Sequence, residues 1–479
     1  MRAFTLVGLT AAAILCLIFV PSAPAQETQN PTAKLLSELI RVNTSNPPGN
    51  EETLDELLAA KLRPLGFEIT IVPTPQPGKA HFFARLKGDG TKKPVLIAAH
   101  ADVVGVQREE WSMDPFTGEV KDGYVYGRGA IDDKGALAVF MEAVMQLARN
   151  HVPLHRDIIL LSEADEEGGS YGTMWLAKSH WDLMDCEFAL NEGGWIIENS
   201  KGGVQYVSVS TADKVSIPLW ITAHGTSTHS SMPRPDNAIY TLSKAMARLS
   251  GYETPLDLTP STREFFATLE KTSAPPLSTD FDTLLHSQDA NAVHQADLEI
   301  SKNYLLHAMM RDTIAPVFLK AGFRGNVIPG SAQATVNLRV IPGSNVQDFL
   351  TEIRGAIADP TVDVAFPPVD TPEGKNVPEL LHEAATLEPS SAETDLYRAL
   401  KASSMETWPG TPVTTYLFQA GTDAVAWRSR GVPVYGIYPY PISAEDLTRM
   451  HGNDERVPVK SLEEGTEMIY KTLLKVAAE

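Results

Sequence analysis

From about residue 32, TAKLLSELIRV and EETLDELLAAKLRPLG carry apolar residues at helical spacing, separated by the turn-forming NTSNPPGN. Short apolar runs follow, FEITIVP, HFFARLKG and KPVLIAAH, of strand length and closed by turn or polar residues. GALAVFMEAVMQLARN is long enough for a buried helix, while RDIILLSEADEEGG and CEFALNEGG each start as an apolar strand and end in acidic residues. Strands alternating with helices predict an α/β fold, a sheet flanked by helices on both faces.

Near residue 213 the texture changes. KVSIPLWITAHGTSTHSS, SAQATVNLRVIPG and TVDVAFP are strand-like, and NAIYTLSKAMARL and NVQDFLTEIRGAI are helical, which suggests a smaller α+β domain inserted at 213–366. Its middle, about 252–320, has no clear pattern. The main domain then comprises 26–212 and 367–479, the chain returning through TPVTTYLFQAGTDAVAW and GVPVYGIYP to a last helix near SLEEGTEMIYKTLLKVA.

Composition changes this picture only at the edges. A chain of 479 residues suits more than one domain, and a formal charge of -20 argues against nucleic acid or an anionic membrane as main partner. MRAFTLVGLTAAAILCLIFVPSAPAQ has a basic start, an apolar centre and small residues before a cleavage point after Ala25. Residues 1–25 therefore read as a signal peptide, with export to a periplasm or a secreted pool and no membrane association after cleavage. Cys16 leaves with it, so the mature chain keeps Cys186 alone, and no intramolecular disulfide can form.

The candidate chemistry lies where apolar runs end. AAHAD, SEADEEGG and ALNEGG put histidine or acids after three successive strands, where open α/β sheets bind ligands. His100 and Asp102 share one side of an extended segment, so His100 can ligate a metal through one nitrogen while Asp102 accepts a hydrogen bond from the other. VYGRGAIDDKG brings adjacent Asp132 and Asp133, which need a countercharge if buried, either Lys134 or a metal. Glu166 and Glu167 point differently, so one can ligate while its neighbour acts as a base; Glu192 and His451 are further donors. Singly, each has an ordinary reading as a strand-end histidine or a solvated loop acid. Together, two histidines and three carboxylates with one free glutamate suit two zinc-like ions.

The ordered series HADVV, YGRGAIDDKG, ADEEGGS, NEGG, HGTSTHSSMP, GNVIPG and MHGNDERVP resembles the M20 family of metallopeptidases over nearly the whole mature chain. Within it, the carboxypeptidase S and aminoacylase-1 branch is the most similar. The resemblance implies a zinc-exopeptidase-type mixed sheet with a ferredoxin-like inserted lid or dimerisation domain. It implies two Zn2+ per subunit, with Co2+ or Mn2+ as substitutes. His100 and Glu192 would hold one ion, Glu167 and His451 the other, and Asp132 would bridge them, its peptide bond to Asp133 cis. Glu166 matches the general base and Asp102 the partner of His100. His229 matches a histidine that binds the substrate carbonyl oxygen, supplied by the other subunit in dimeric relatives. Asn326, Arg339 and Gly421 match substrate-binding positions, the arginine through the substrate carboxylate. Asn191 departs from the aspartate usual before the ligand glutamate.

The expected reaction is hydrolysis of an amide in a peptide with a free C-terminal carboxylate, of carboxypeptidase or dipeptidase type. The alternative is an N-acyl-amino-acid amidohydrolase. A non-catalytic binding protein is a remote third reading, opposed by the presence of Glu166 and all five ligands. The inserted domain is a candidate homodimer surface.

Overall fold

A computed structural model describes residues 30–478. The signal peptide expected at 1–25 and Cys16 lie outside the described residues. Among these residues no helix is long and apolar enough to cross a membrane.

The larger unit is built on a mixed ten-stranded sheet. Its centre is parallel: Val95–His100 lies between Ile158–Glu163 and Phe188–Asn191, and Val434–Gly436 continues beyond the latter. These strands are short and buried on both faces, as their unbroken Val, Ile, Leu and Ala runs require. His100 stands opposite Glu163 in register, so the carboxyl ends of the strands carry their polar residues to one edge. The helix Lys134–Arg149 is almost wholly buried between this sheet and the terminal helix Val459–Ala477.

A second, antiparallel sheet runs in the order Thr313–Ala321, Ser331–Val340, Val215–His224, Val362–Ala365. Val215–His224 alternates buried and half-buried positions, the period-two pattern of a sheet covered on one face. Ile217, Leu219 and Ile221 pack with Leu242 of Ala238–Leu249 and with Phe349 and Ile353 of Val346–Ile357.

The span 213–366 is divided between the two cores. Its unpatterned middle forms four helices, Pro260–Thr272, Leu277–His286, Ala290–Ile300 and Tyr304–Met309. Their buried residues Phe265, Phe266, Phe281 and Met309 belong to the core of the large sheet, not to that of the small one. Phe265 packs edge-on against Tyr206 and Tyr416, with centroids 5.4 and 5.1 Å apart, which fixes the helices to strands Val204–Asp213 and Val413–Phe418. The small unit's own core comes from the residues on either side of this helical stretch.

Candidate metal centre

Five residues predicted as ligands converge at the carboxyl edge of the large sheet. The donor atoms of His100, Asp132 and Glu192 lie within 4.8 Å of one another, as do those of Asp132, Glu167 and His451. Asp132 belongs to both groups and faces both histidines: its Oδ1 is 2.9 Å from His100 Nε2 and its Oδ2 2.9 Å from His451 Nε2. His451 Nε2 is also 3.1 Å from Glu167 Oε1. The peptide bond between Asp132 and Asp133 is cis.

The countercharge for Asp132 is not Lys134. That ammonium is fully buried and donates to the carbonyls of Leu39 and Val42 at 3.1 and 2.8 Å; burial lowers its pKa to about 7. Burial drives Glu192 well above the usual carboxylate range, and the nearby Asp132 carboxylate adds to it. His451, wedged between Asp132 and Glu167, is raised to about 10. Carboxylates packed this closely draw protons onto the imidazoles because they demand positive charge. A pair of divalent cations fits this donor set, with a central carboxylate that turns one oxygen to each histidine and an imidazole that can be neutral on each side.

Asp102 does not play the expected part in the expected way. His100 Nδ1 lies 2.9 Å from the backbone carbonyl of Asp102, while the Asp102 carboxylate is 3.7 Å away. The ring is oriented by the backbone, because the side chain is engaged elsewhere. Asp102 accepts from the backbone N–H groups of Glu166 and Glu167, at 3.2 and 3.0 Å, and from Asn46 Nδ2 at 2.7 Å. It therefore pins the turn that presents both glutamates. Glu166 is raised to about 8, first by burial and then by the carboxylates of Asp423, Glu167 and Asp132.

Several positioning residues escaped sequence reasoning. Arg128 and Glu455 form a buried ion pair at 2.5 Å. Glu455 also accepts from the backbone N–H groups of Gly129, Ile131 and Asp132, and Arg128 donates to the carbonyls of His451 and Gly452. The pair thus ties GRGAID to HGNDE, bringing Asp132 to His451. Asn46 donates to both Asp102 and Asp165, while Lys79 forms a buried ion pair with Asp165 and donates to Asn46 Oδ1. Asp165, at φ 64°, caps the glutamate turn through the N–H groups of Ser170 and Tyr171. Tyr438 donates to Glu192 Oε2 at 2.6 Å. Arg128, Glu455 and Asn46 stood inside strings already singled out, where opposite charge and a turn asparagine were the available signals. Asn191 turns its side-chain oxygen to the backbone N–H of Glu192, and its Nδ2 has no partner among the described residues.

The predicted substrate residues are less tightly gathered. Arg339 is half-buried, with no carboxylate within ion-pair distance among the described residues, and its Nη1 lies 4.0 Å from where a Cβ on Gly421 would sit. Gly421 and Glu166 share a cavity of about 200 Å³. His229 and Asn326 sit together on the small unit, where Thr228–His229 pairs with Val327–Ile328. His229 is exposed and bonds to Ser231; among the described residues, no hydrogen bond or ion pair joins it to the cluster.

Residues 96–475 match the family described as Peptidase family M20/M25/M40. The human N-fatty-acyl-amino acid synthase/hydrolase PM20D1 is 28% identical over 407 residues, covering 82% of this chain and 76% of its own. A probable carboxypeptidase S-like 2 of Dictyostelium discoideum is 28% identical, covering 80% of this chain and 71% of its own. The M20 family metallo-carboxypeptidase Sso-CP2 of Sulfolobus solfataricus superposes with a TM-score of 0.65 at 17% identity, covering 93% of this chain and 98% of its own. That last likeness bears on the fold alone.

Proposed function

The chain belongs to peptidase family M20/M25/M40, and from that premise we propose that it hydrolyses the amide bond of N-acyl amino acids. It is a metal-dependent amide hydrolase acting on a small peptide or amino-acid derivative. The choice of N-acyl amino acids rests on the similarity to the fatty-acyl-amino acid hydrolase, and it replaces carboxypeptidase action as the first reading. The observation that carries hydrolysis of an amide bearing a carboxylate, shared by both readings, is the half-buried Arg339 guanidinium beside Gly421, without a carboxylate within ion-pair distance among the described residues, next to the cavity that holds Glu166. A substrate carboxylate satisfies that guanidinium by a bidentate pair.

His100 and Glu192 would hold one cation, Glu167 and His451 the other, with Asp132 between them; zinc is the proposed metal. When bound, such cations would supply Lewis acidity toward the scissile carbonyl and toward water. The Glu166 donor atom lies within 4.8 Å of those of His100 and Glu167, with no hydrogen bond to either histidine among the described residues. Its raised pKa suits a group that takes a proton from water and returns it to the departing amine. Asp102 holds Glu166 and Glu167 in place through their backbone. Tyr438 fixes one oxygen of Glu192. His229 and Asn326 would meet the substrate from the small unit, whose strand order supports the ferredoxin-like reading. Export behind a cleaved leader, and a homodimer through the small unit, belong to the same proposal.

Carboxypeptidase or dipeptidase action is the second reading, favoured by the similarity to the carboxypeptidase S-like protein. Both readings use the same carboxylate. The deciding experiment is hydrolysis of matched N-acyl amino acids and dipeptides by the zinc-loaded protein, with product masses read directly. Glu166→Gln should bind metal normally and lose about 10²–10⁴-fold in turnover. A fully active variant would remove Glu166 from the mechanism, and turnover of dipeptides alone would favour the second reading.

A further inference from the structure

The cavity shared by Glu166 and Gly421 lies where the large unit meets the small one, at the chain crossings near Lys214 and Pro342. Three of the charged groups on its wall are already engaged. Asp213 pairs with Arg428 at 2.5 Å and accepts from Thr422 Oγ1 at 2.6 Å. The ammonium of Lys214 turns away to the carbonyls of Ala308 and Arg311 at 3.0 and 2.7 Å. Glu383 is buried, which raises its pKa to about 7 and weakens it as a fixed negative charge. Asp423 accepts from the Thr173 hydroxyl, Glu166 belongs to the metal centre, and Glu388 is exposed to solvent. Most of the remaining wall is apolar: Val215, Pro342, Leu380, Leu387 and Val425.

Size and position then select an occupant. A cavity of roughly 150 Å³ lined by apolar side chains accepts benzene, so one of about 200 Å³ takes a single leucine- or phenylalanine-sized group. It is too small for a long acyl chain. Its place beside Gly421 and Arg339 matters as much. If Arg339 holds the substrate carboxylate, the group nearest this wall is the side chain on the carbon that bears the carboxylate.

We infer that this chamber is the specificity pocket for the amino-acid side chain of the substrate, and that Leu380 and Leu387 select large apolar residues there. The inference rests on the proposed anchoring of the carboxylate by Arg339, and it holds for an N-acyl amino acid and a dipeptide alike. The acyl group leaves the reacting carbonyl in the other direction.

The test uses the full mature chain, zinc-loaded, with two matched series: N-acetyl-X and glycyl-X, where X is Gly, Leu, Phe, Lys or Asp. Leu and Phe should exceed Gly, Lys and Asp in kcat/KM by about tenfold or more. Leu380→Trp, which fills the chamber, should lower the Phe-to-Gly ratio about tenfold. Leu387→Trp fills it from a second lining position, and keeps the test open should the first variant not fold. Equal rates across X, a preference for Lys or Asp, or an unchanged ratio in folded Trp variants would overturn the pocket. Apolar preference in the glycyl series with silence on acetyl substrates would keep the pocket and overturn the N-acyl reading. Silence on both series would overturn both.

Discussion

Replacing Arg128 by Met should unfasten the metal centre without touching a ligand. Arg128 and Glu455 are 2% and 0% exposed, so their attraction is scarcely screened by water. Removing one member of such a pair leaves the other buried and uncompensated, at a cost of about 3–5 kcal/mol. Methionine keeps an apolar stem near Trp111, whose ring Arg128 covers at 5.3 Å, so the loss is mainly electrostatic. In a unit larger than about 250 residues each kcal/mol moves Tm by less than about 2 °C, so the cost corresponds to a fall of roughly 5–8 °C. Glu455 also accepts the Asp132 backbone N–H at 3.1 Å, and Arg128 holds the His451 carbonyl at 3.2 Å. Zinc affinity should therefore weaken by about 10–100-fold, as when a supporting partner of a metal ligand is lost. Thermal melts with and without zinc, and metal content after dialysis against a competing chelator, measure the two effects. The double variant Arg128→Met/Glu455→Gln should lose less than the sum of the singles, since neither charge is then stranded. A Tm within about 2 °C of wild type, with unchanged zinc content, would refute the reasoning.

Lys79→Met should strand the buried Asp165 and loosen the glutamate turn, lowering kcat by about 10–100-fold while KM moves little; equal changes in both would point to a binding role. Asp55 is raised from 3.8 to about 9, by burial first and then by Glu51 and Glu52, and neither oxygen has a hydrogen-bond partner among the described residues. Because the folded value lies above the unfolded one, its contribution is complete below pH 4 or so and is lost as pH rises toward 9, by up to about 1.4 kcal/mol per pH unit. Urea midpoints at pH 6 and 8 should therefore fall with pH in the wild type and much less in Asp55→Asn; parallel slopes would dismiss the assignment. Chelation should abolish turnover, and zinc restored to a hundred times its Kd should raise stability by about 2.7 kcal/mol. A melt indifferent to zinc would contradict a cation between Asp132, His100 and His451.

The sequence alone determined the pieces that depend on local order. Apolar runs of strand length ending in His100, Glu166–Glu167 and Glu192 located the carboxyl edge of a sheet, because side-chain period and strand length are local properties. The ligand types pointed to hard and borderline cations before any geometry was known. Tertiary structure decided everything that needed a direction or a distant neighbour. Lys134 is adjacent to Asp133 in the chain yet donates to the carbonyls of Leu39 and Val42, which a segment nearly a hundred residues earlier brings to it. Asp102 accepts its short hydrogen bonds from the glutamate turn and faces the ring of His100 only at 3.7 Å. The helices at 260–309 join the large core although the chain on both sides builds the small sheet, because Phe265 and its neighbours bury their area wherever a complementary apolar surface lies. Arg128 finds Glu455, and Asp132 finds His451, across most of the chain. Local patterns specify which groups are available; the pairing of buried charges follows from the packing of distant segments, which brings them together where water cannot stand in.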